Sequence, residues 1–222
     1  MTGDELCRFG TGVTFLPMGI DLGVVYRQSR ERIGALVEGA DPDRVVPATP
    51  EWSVHDVVAH LAGVVEDVTT GNLEGAATNP WTAAQVARSR DLPVADLLAR
   101  WAEQAPVLEG VLSSPQSPMA AAAAFDVVTH ELDLASALGA QPAVPDEVIT
   151  HLAGFFRDGF AAQVAEAGLA PVTVVASDRE VLRSRLGRRT RDEARALQWS
   201  ADPEPYLDLW FRFGPAERSL NE

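Results

Sequence analysis

From Ala121 to Gly139 the sequence reads AAAAFDVVTHELDLASALG, an alanine-rich apolar run that carries Asp126 and His130 four residues apart. Four residues make about one helical turn, so the carboxylate and the imidazole share one side, with Cβ atoms about 6 Å apart. On a helical wheel Phe125, Val128, Leu132 and Ala135 form one apolar face, and Val127, Leu134 and Leu138 form a second. Asp126, His130, Asp133 and Ala137 run as a stripe between them. A helix that is apolar nearly all round is buried nearly all round. Burying an ionised carboxylate or an unpartnered imidazole costs several kcal/mol, so both groups need partners. Two arrangements would supply them. The pair could hydrogen-bond to each other or to a neighbouring helix and lock the fold. Alternatively, both could bind a divalent metal, with a third ligand from another helix.

His60 is the candidate third ligand. It lies in SVHDVVAHLAGVVEDVTTG, where Val54, Val57, Val58, Leu61, Val64, Val65 and Val68 give the 3-4-3-4 stripe of an amphipathic helix. His60 flanks that stripe beside Val57 and Val64 and faces the interior at its edge. Two imidazoles and one carboxylate suit zinc or another first-row metal and leave positions open for substrate or water. His55 falls on the opposite flank, where exposure is expected. His151 opens a later helix and reads as a cap or surface group. Cys7, the one cysteine, reads as incidental in an N-terminal tail, and a disulfide within the chain is impossible.

The helices that would carry these residues are legible. DLGVVYRQSRERIGALVEGA has apolar residues at helical spacings and a Gly-Ala-Asp-Pro exit. A proline-rich loop follows, and Ser53 caps the next helix with Asp56 three residues on. Residues 79–87 and VADLLARWAEQAPVLEGVLSS give a further helix, SPQSP a loop, and the opening stretch a strong helix closed by Gly139. EVITHLAGFFRDGFAAQVAEAG is another helix. Long helices on short connections predict a mainly α fold, an antiparallel four-helix bundle over residues 21–168. Residues 1–20 read as an N-terminal extension, with Met18 an alternative start. Residues 169–222 read as a small C-terminal region packed on the bundle, with an extended segment in APVTVVASD, short basic helices in REVLRSRLGRR and TRDEARALQW, and aromatics that pack back.

Acids outnumber bases 32 to 18, a formal charge of −14. That excludes nucleic acid and anionic membrane surfaces as expected partners, since both reward basic patches. No apolar run is long enough for a transmembrane helix, and the acidic start lacks a signal-peptide pattern, so a cytoplasmic protein is expected. The sequence is silent on oligomeric state.

TPEWSVHDVVAHLAG resembles the entry motif of the mycothiol-dependent maleylpyruvate isomerase family: Trp, Ser or Thr, Val, any residue, Asp, then His-Leu four residues on. Trp52, Ser53, Val54, Asp56, His60 and Leu61 match it. DVVTHELDLASALG resembles the second motif through Asp126, His130, Asp133, Leu134 and Gly139. GRRTRDEARALQW and DPEPYLDLWFRFGPAE are similar to C-terminal segments of actinobacterial relatives. The resemblance spans roughly residues 20 to 215. It implies a DinB-like four-helix bundle and a metal held by His, Glu and His, carried over as His60, Asp126 and His130. Asp126 thus stands where the family has Glu and is one methylene shorter. Glu131 and Leu132 replace a small residue and a tryptophan.

The resemblance further implies that zinc binds a thiol, mycothiol, and lowers its pKa. The thiolate would add to the cis double bond of an activated enoate, the resulting single bond would rotate, and the thiolate would leave to give the trans isomer. In a transferase the adduct would be retained. Asp133 could hydrogen-bond the His130 imidazole or remain a surface acid. Arg188, Arg189 and Arg191 are candidates for a substrate carboxylate or thiol, or form a solvated face. Trp52 reads as packing beneath the first metal helix. Three classes stay open: a thiol-dependent isomerase or S-transferase acting on a small electrophile, a thiol-independent metal hydrolase, and a non-catalytic binding or regulatory module.

Overall fold

A computed structural model describes residues 20–113, 118–220 and 222. The N-terminal extension with Cys7, and all of the SPQSP loop except its last proline, lie outside the described residues. The protein is mainly helical and divides into two compact units, Met1–Ala143 and Val144–Glu222.

The first unit holds α1 (Leu22–Val37), α2 (Val54–Thr70), α3 (Asn79–Ser89), α4 (Val94–Leu112) and α5 (Pro118–Leu138). Helices α1, α2, α4 and α5 pack on one another, and α3 lies along α2. Helix α2 begins at the Ser53 cap, where the Ser53 hydroxyl accepts from the Asp56 amide and the Asp56 carboxylate reaches back to the Ser53 amide. Its apolar stripe is almost wholly excluded from water, with Val57, Val58 and Val65 at 0% exposure. Fully burying a side chain of this kind stabilises by about 1.5–3 kcal/mol. Helix α5 is buried along both predicted faces and ends at Gly139, whose φ of 67° favours a residue without a Cβ. Trp101 of α4 donates its indole N–H to the Tyr26 hydroxyl of α1 at 2.9 Å, so the two largest aromatics of this core satisfy each other.

The second unit holds α6 (Asp146–Glu166), β1 (Val174–Val175), α7 (Asp178–Arg185), α8 (Arg191–Arg195), β2 (Gln198–Trp199) and α9 (Leu207–Trp210). The strands pair antiparallel, with Val174 opposite Trp199. The sequence assigns the 146–166 helix to the bundle; in the structure it joins the C-terminal elements instead. Phe160 and Val164 of α6 form a core with Val181, Tyr206, Leu207 and Trp210. Periodicity shows that α6 has an apolar face but not which element covers it. The expected extended segment and both short basic helices form, and the C-terminal aromatics pack on α6.

Candidate metal centre

Helices α2 and α5 lie side by side, and His60 of α2 meets Asp126 and His130 of α5. One donor atom from each of the three lies within 4.8 Å of the others. His60 Nε2 is 3.1 Å from Asp126 Oδ2, and His130 Nε2 is 3.5 Å from Asp126 Oδ1. Two donors on one tetrahedral zinc ion, each ~2.0–2.1 Å from it, stand ~3.3 Å apart. The His–Asp spacings bracket that value, so the aspartate, despite its missing methylene, reaches both imidazoles. Both histidines are 5% exposed, whereas the Asp126 side chain is 34% exposed, so the cluster opens to solvent on the carboxylate side.

Of the opposite ring nitrogens, the His60 one is hydrogen-bonded, whereas His130 Nδ1 is buried near a carboxylate without hydrogen-bond geometry among the described residues. His60 Nδ1 is 2.8 Å from Gln85 Oε1, and His130 Nδ1 is 3.2 Å from Asp133 Oδ2. Asp133 is fully buried, so its place is against the imidazole and not on a surface. With the Nδ1 atoms turned toward acceptors, the Nε2 atoms of both rings converge on Asp126, and the donor set fits a divalent metal. Burial disfavours charge on the His60 ring, but the Asp126 carboxylate, with help from Gln85 and Asp67, outweighs it and raises the His60 pKa. A positive charge is therefore favoured at this place.

Trp52 closes one side. Its ring centroid is 5.1 Å from that of His60 and 5.8 Å from that of His130. The expected packing beneath α2 is thus direct contact with both imidazoles. Tyr26 was not singled out by the sequence. Burial pushes its phenol pKa well above the usual value, the Trp101 hydrogen bond opposes this, and the nearby Asp126 charge adds to the rise.

Gln85, Asp67 and Arg88 were also missed. Gln85 of α3 is fully buried and donates Nε2–H to Asp67 Oδ2 at 2.7 Å. Asp67 accepts further from Asn72 at 2.9 Å and Arg88 at 2.7 Å. The available signal was Gly63, a glycine inside the strongest helix of the chain. A Cβ there would meet Gln85 Cβ at 2.7 Å, so the glycine admits α3 to this distance.

The other expected residues lie elsewhere. His55 is half-buried, contrary to the expected exposure, because its Nε2 meets the Leu92 carbonyl at 2.8 Å. His151 is neither a cap nor a surface group. It lies in the second turn of α6, its Nε2 is enclosed without a hydrogen-bond partner among the described residues, and burial lowers its pKa. Arg188, Arg189 and Arg191 belong to the second unit. Arg188 donates to the Leu186 carbonyl at 2.6 Å, Arg189 to Glu180 and Glu222, and Arg191 to Asp208 at 2.5 Å. Glu131 forms a two-pronged pair with Arg32 of α1 at 2.6 and 2.9 Å, which accounts for a buried acid on the far side of α5.

Residues 26–135 match the family model described as the mycothiol maleylpyruvate isomerase N-terminal domain. No curated protein and no solved structure matches the chain. No helix among the described residues is long and apolar enough to cross a membrane.

Proposed function

Because the chain belongs, through residues 26–135, to the mycothiol maleylpyruvate isomerase family, we propose that it is a divalent-metal- and thiol-dependent enzyme. The reaction is an isomerisation or S-transfer on a small electrophile such as an unsaturated carboxylate, with mycothiol as the thiol. The carrying observation is the convergence of His60 Nε2, His130 Nε2 and the Asp126 carboxylate within 4.8 Å. A bound zinc or other first-row ion would supply positive charge that lowers a thiol's pKa, giving a nucleophile at neutral pH.

The protein's own residues do the rest. Gln85 holds the His60 imidazole by its Nδ1 atom, and the buried Asp133 carboxylate stands 3.2 Å from Nδ1 of His130. Trp52 walls the rings off on one side and excludes water there. Asp126, the most exposed of the three, marks the side from which thiol and electrophile would approach.

Metal analysis of untagged protein comes first. The expected result is about one equivalent of a divalent ion, lost in His60→Ala. An ion-free wild type with unchanged stability in His60→Ala would overturn the reading. With metal present, turnover of a maleyl-type electrophile is then measured with and without mycothiol. Dependence on the thiol is expected, and equal rates without it would favour a hydrolase.

A further inference from the structure

Gln85 and Asp67 form a buried hydrogen-bonded chain behind His60, with a direction set at its far end. An ionised carboxylate only accepts hydrogen bonds, a primary amide has one accepting and one donating end, and a neutral imidazole has one of each. Asp67 is 2% exposed and takes donors from Arg88 at 2.7 Å, Asn72 at 2.9 Å and Gln85 at 2.7 Å. Gln85 must therefore turn its NH₂ toward Asp67, which leaves Oε1 facing His60 Nδ1 at 2.8 Å. Gln85 is 0% exposed, so solvent cannot substitute for either partner. An oxygen at that place requires a proton on Nδ1. The Asp126 carboxylate at Nε2 is an acceptor too, but its side chain is 34% exposed, so water can supply its hydrogen when the ring is neutral.

We propose that Asp67, acting through Gln85, fixes the tautomer of the neutral His60 ring, with the proton on Nδ1 and the Nε2 lone pair left for the metal position. Asp67 and Gln85 are positioning residues. Their bearing on metal affinity rests on the function proposed above, whereas the location of the proton does not.

The near-isosteric Asp67→Asn gives a sharp test. Arg88 and Asn72 donate to one oxygen of residue 67, so the new side chain keeps its carbonyl there and turns its NH₂ toward Gln85. Gln85 must then rotate, present its own NH₂ to His60 Nδ1, and force the proton onto Nε2. The readout is nitrogen-15 NMR of histidine-labelled full-length protein, metal-free and alkaline enough for a neutral ring, with His60 assigned by its absence in His60→Gln.

Wild type is expected to show an Nδ1–H signal. Asp67→Asn is expected to show Nε2–H instead and, in a chelator competition, to bind zinc about 10–100-fold more weakly. Asn72→Ala removes one donor to Asp67 without inverting the chain and should keep Nδ1–H. A wild-type ring with the proton on Nε2, or an Asp67→Asn ring that keeps it on Nδ1, overturns the proposal. If Asp67→Asn is unfolded by circular dichroism, Gln85→Met replaces it. That ring should show both tautomers, and one held entirely as Nδ1–H overturns the proposal. A wild type that shows Nδ1–H but binds no zinc supports the tautomer assignment while removing the proposed function.

Discussion

Asp126 shows how one methylene can be absorbed. The shorter acid still places its oxygens 3.1 and 3.5 Å from the two imidazoles. Glu131, five residues on, shows the opposite case, a charge whose burial depends on one partner. Its side chain is 3% exposed and rests on the Arg32 guanidinium. Removing one member of a buried pair leaves an uncompensated charge, which costs more than the pair contributes. Arg32→Leu should therefore destabilise by about 3 kcal/mol in urea unfolding, and Arg32→Leu with Glu131→Leu should recover much of that. A double variant no more stable than Arg32→Leu would count against this account.

Helix α3 contributes no metal ligand, yet it completes the site by bringing Gln85 to His60. Gly63 allows that approach. An alanine there would gain about 1 kcal/mol of helix propensity. It would also drive a methyl into Gln85 Cβ and Cγ at 2.7 and 2.8 Å, and overpacking costs about 1–3 kcal/mol. The second effect should win. Gly63→Ala is expected to lower stability and to weaken zinc binding, as read by denaturant unfolding and chelator competition.

The residues of the candidate ligand set could be singled out in the sequence because they follow helical periodicity. His60 flanks an apolar stripe, and Asp126 and His130 interrupt a buried helix. The chain behind His60 could not be read that way. Asp67 looks like a solvated acid near the end of α2, and Gln85 lies on a weakly amphipathic helix. Only the placement of α3 over α2 reveals that both are buried. The same blindness applies to α6, whose apolar face is legible but whose partners are not.

At the scale of the molecule, acid sensitivity is written into the second unit. Asp178 opens α7 and ties it to α6. Its pKa is held below the usual carboxylate value by Thr150 at 2.6 Å and then by Arg157 at 2.6 Å. Burial opposes ionisation of Glu222, but bonds from Arg183 and Arg189 outweigh it and lower its pKa too. A carboxylate with a depressed folded pKa binds fewer protons folded than unfolded. Its stabilisation is complete above the ordinary value and is lost as pH falls through the folded one. Denaturant stability should therefore drop as pH falls below the ordinary carboxylate values of 3.8 and 4.5. Asp178→Asn with Glu222→Gln should flatten that drop, and an unchanged profile would refute it. The 32 acids protonate over the same range while the 18 bases and the 4 histidines keep their charge, so the net charge passes through zero and turns positive, and global repulsion then adds to the loss.

The ring of Trp52, within 6 Å of both imidazole centroids, has an optical consequence. An indole excited state is sensitive to the charge and protonation of whatever it touches. Trp101 and Trp210 are enclosed in their cores, whereas Trp52 faces the rings that would exchange a proton for an ion. The protein thus carries its own lamp over the site, and the emission of that indole should report occupancy without any added dye.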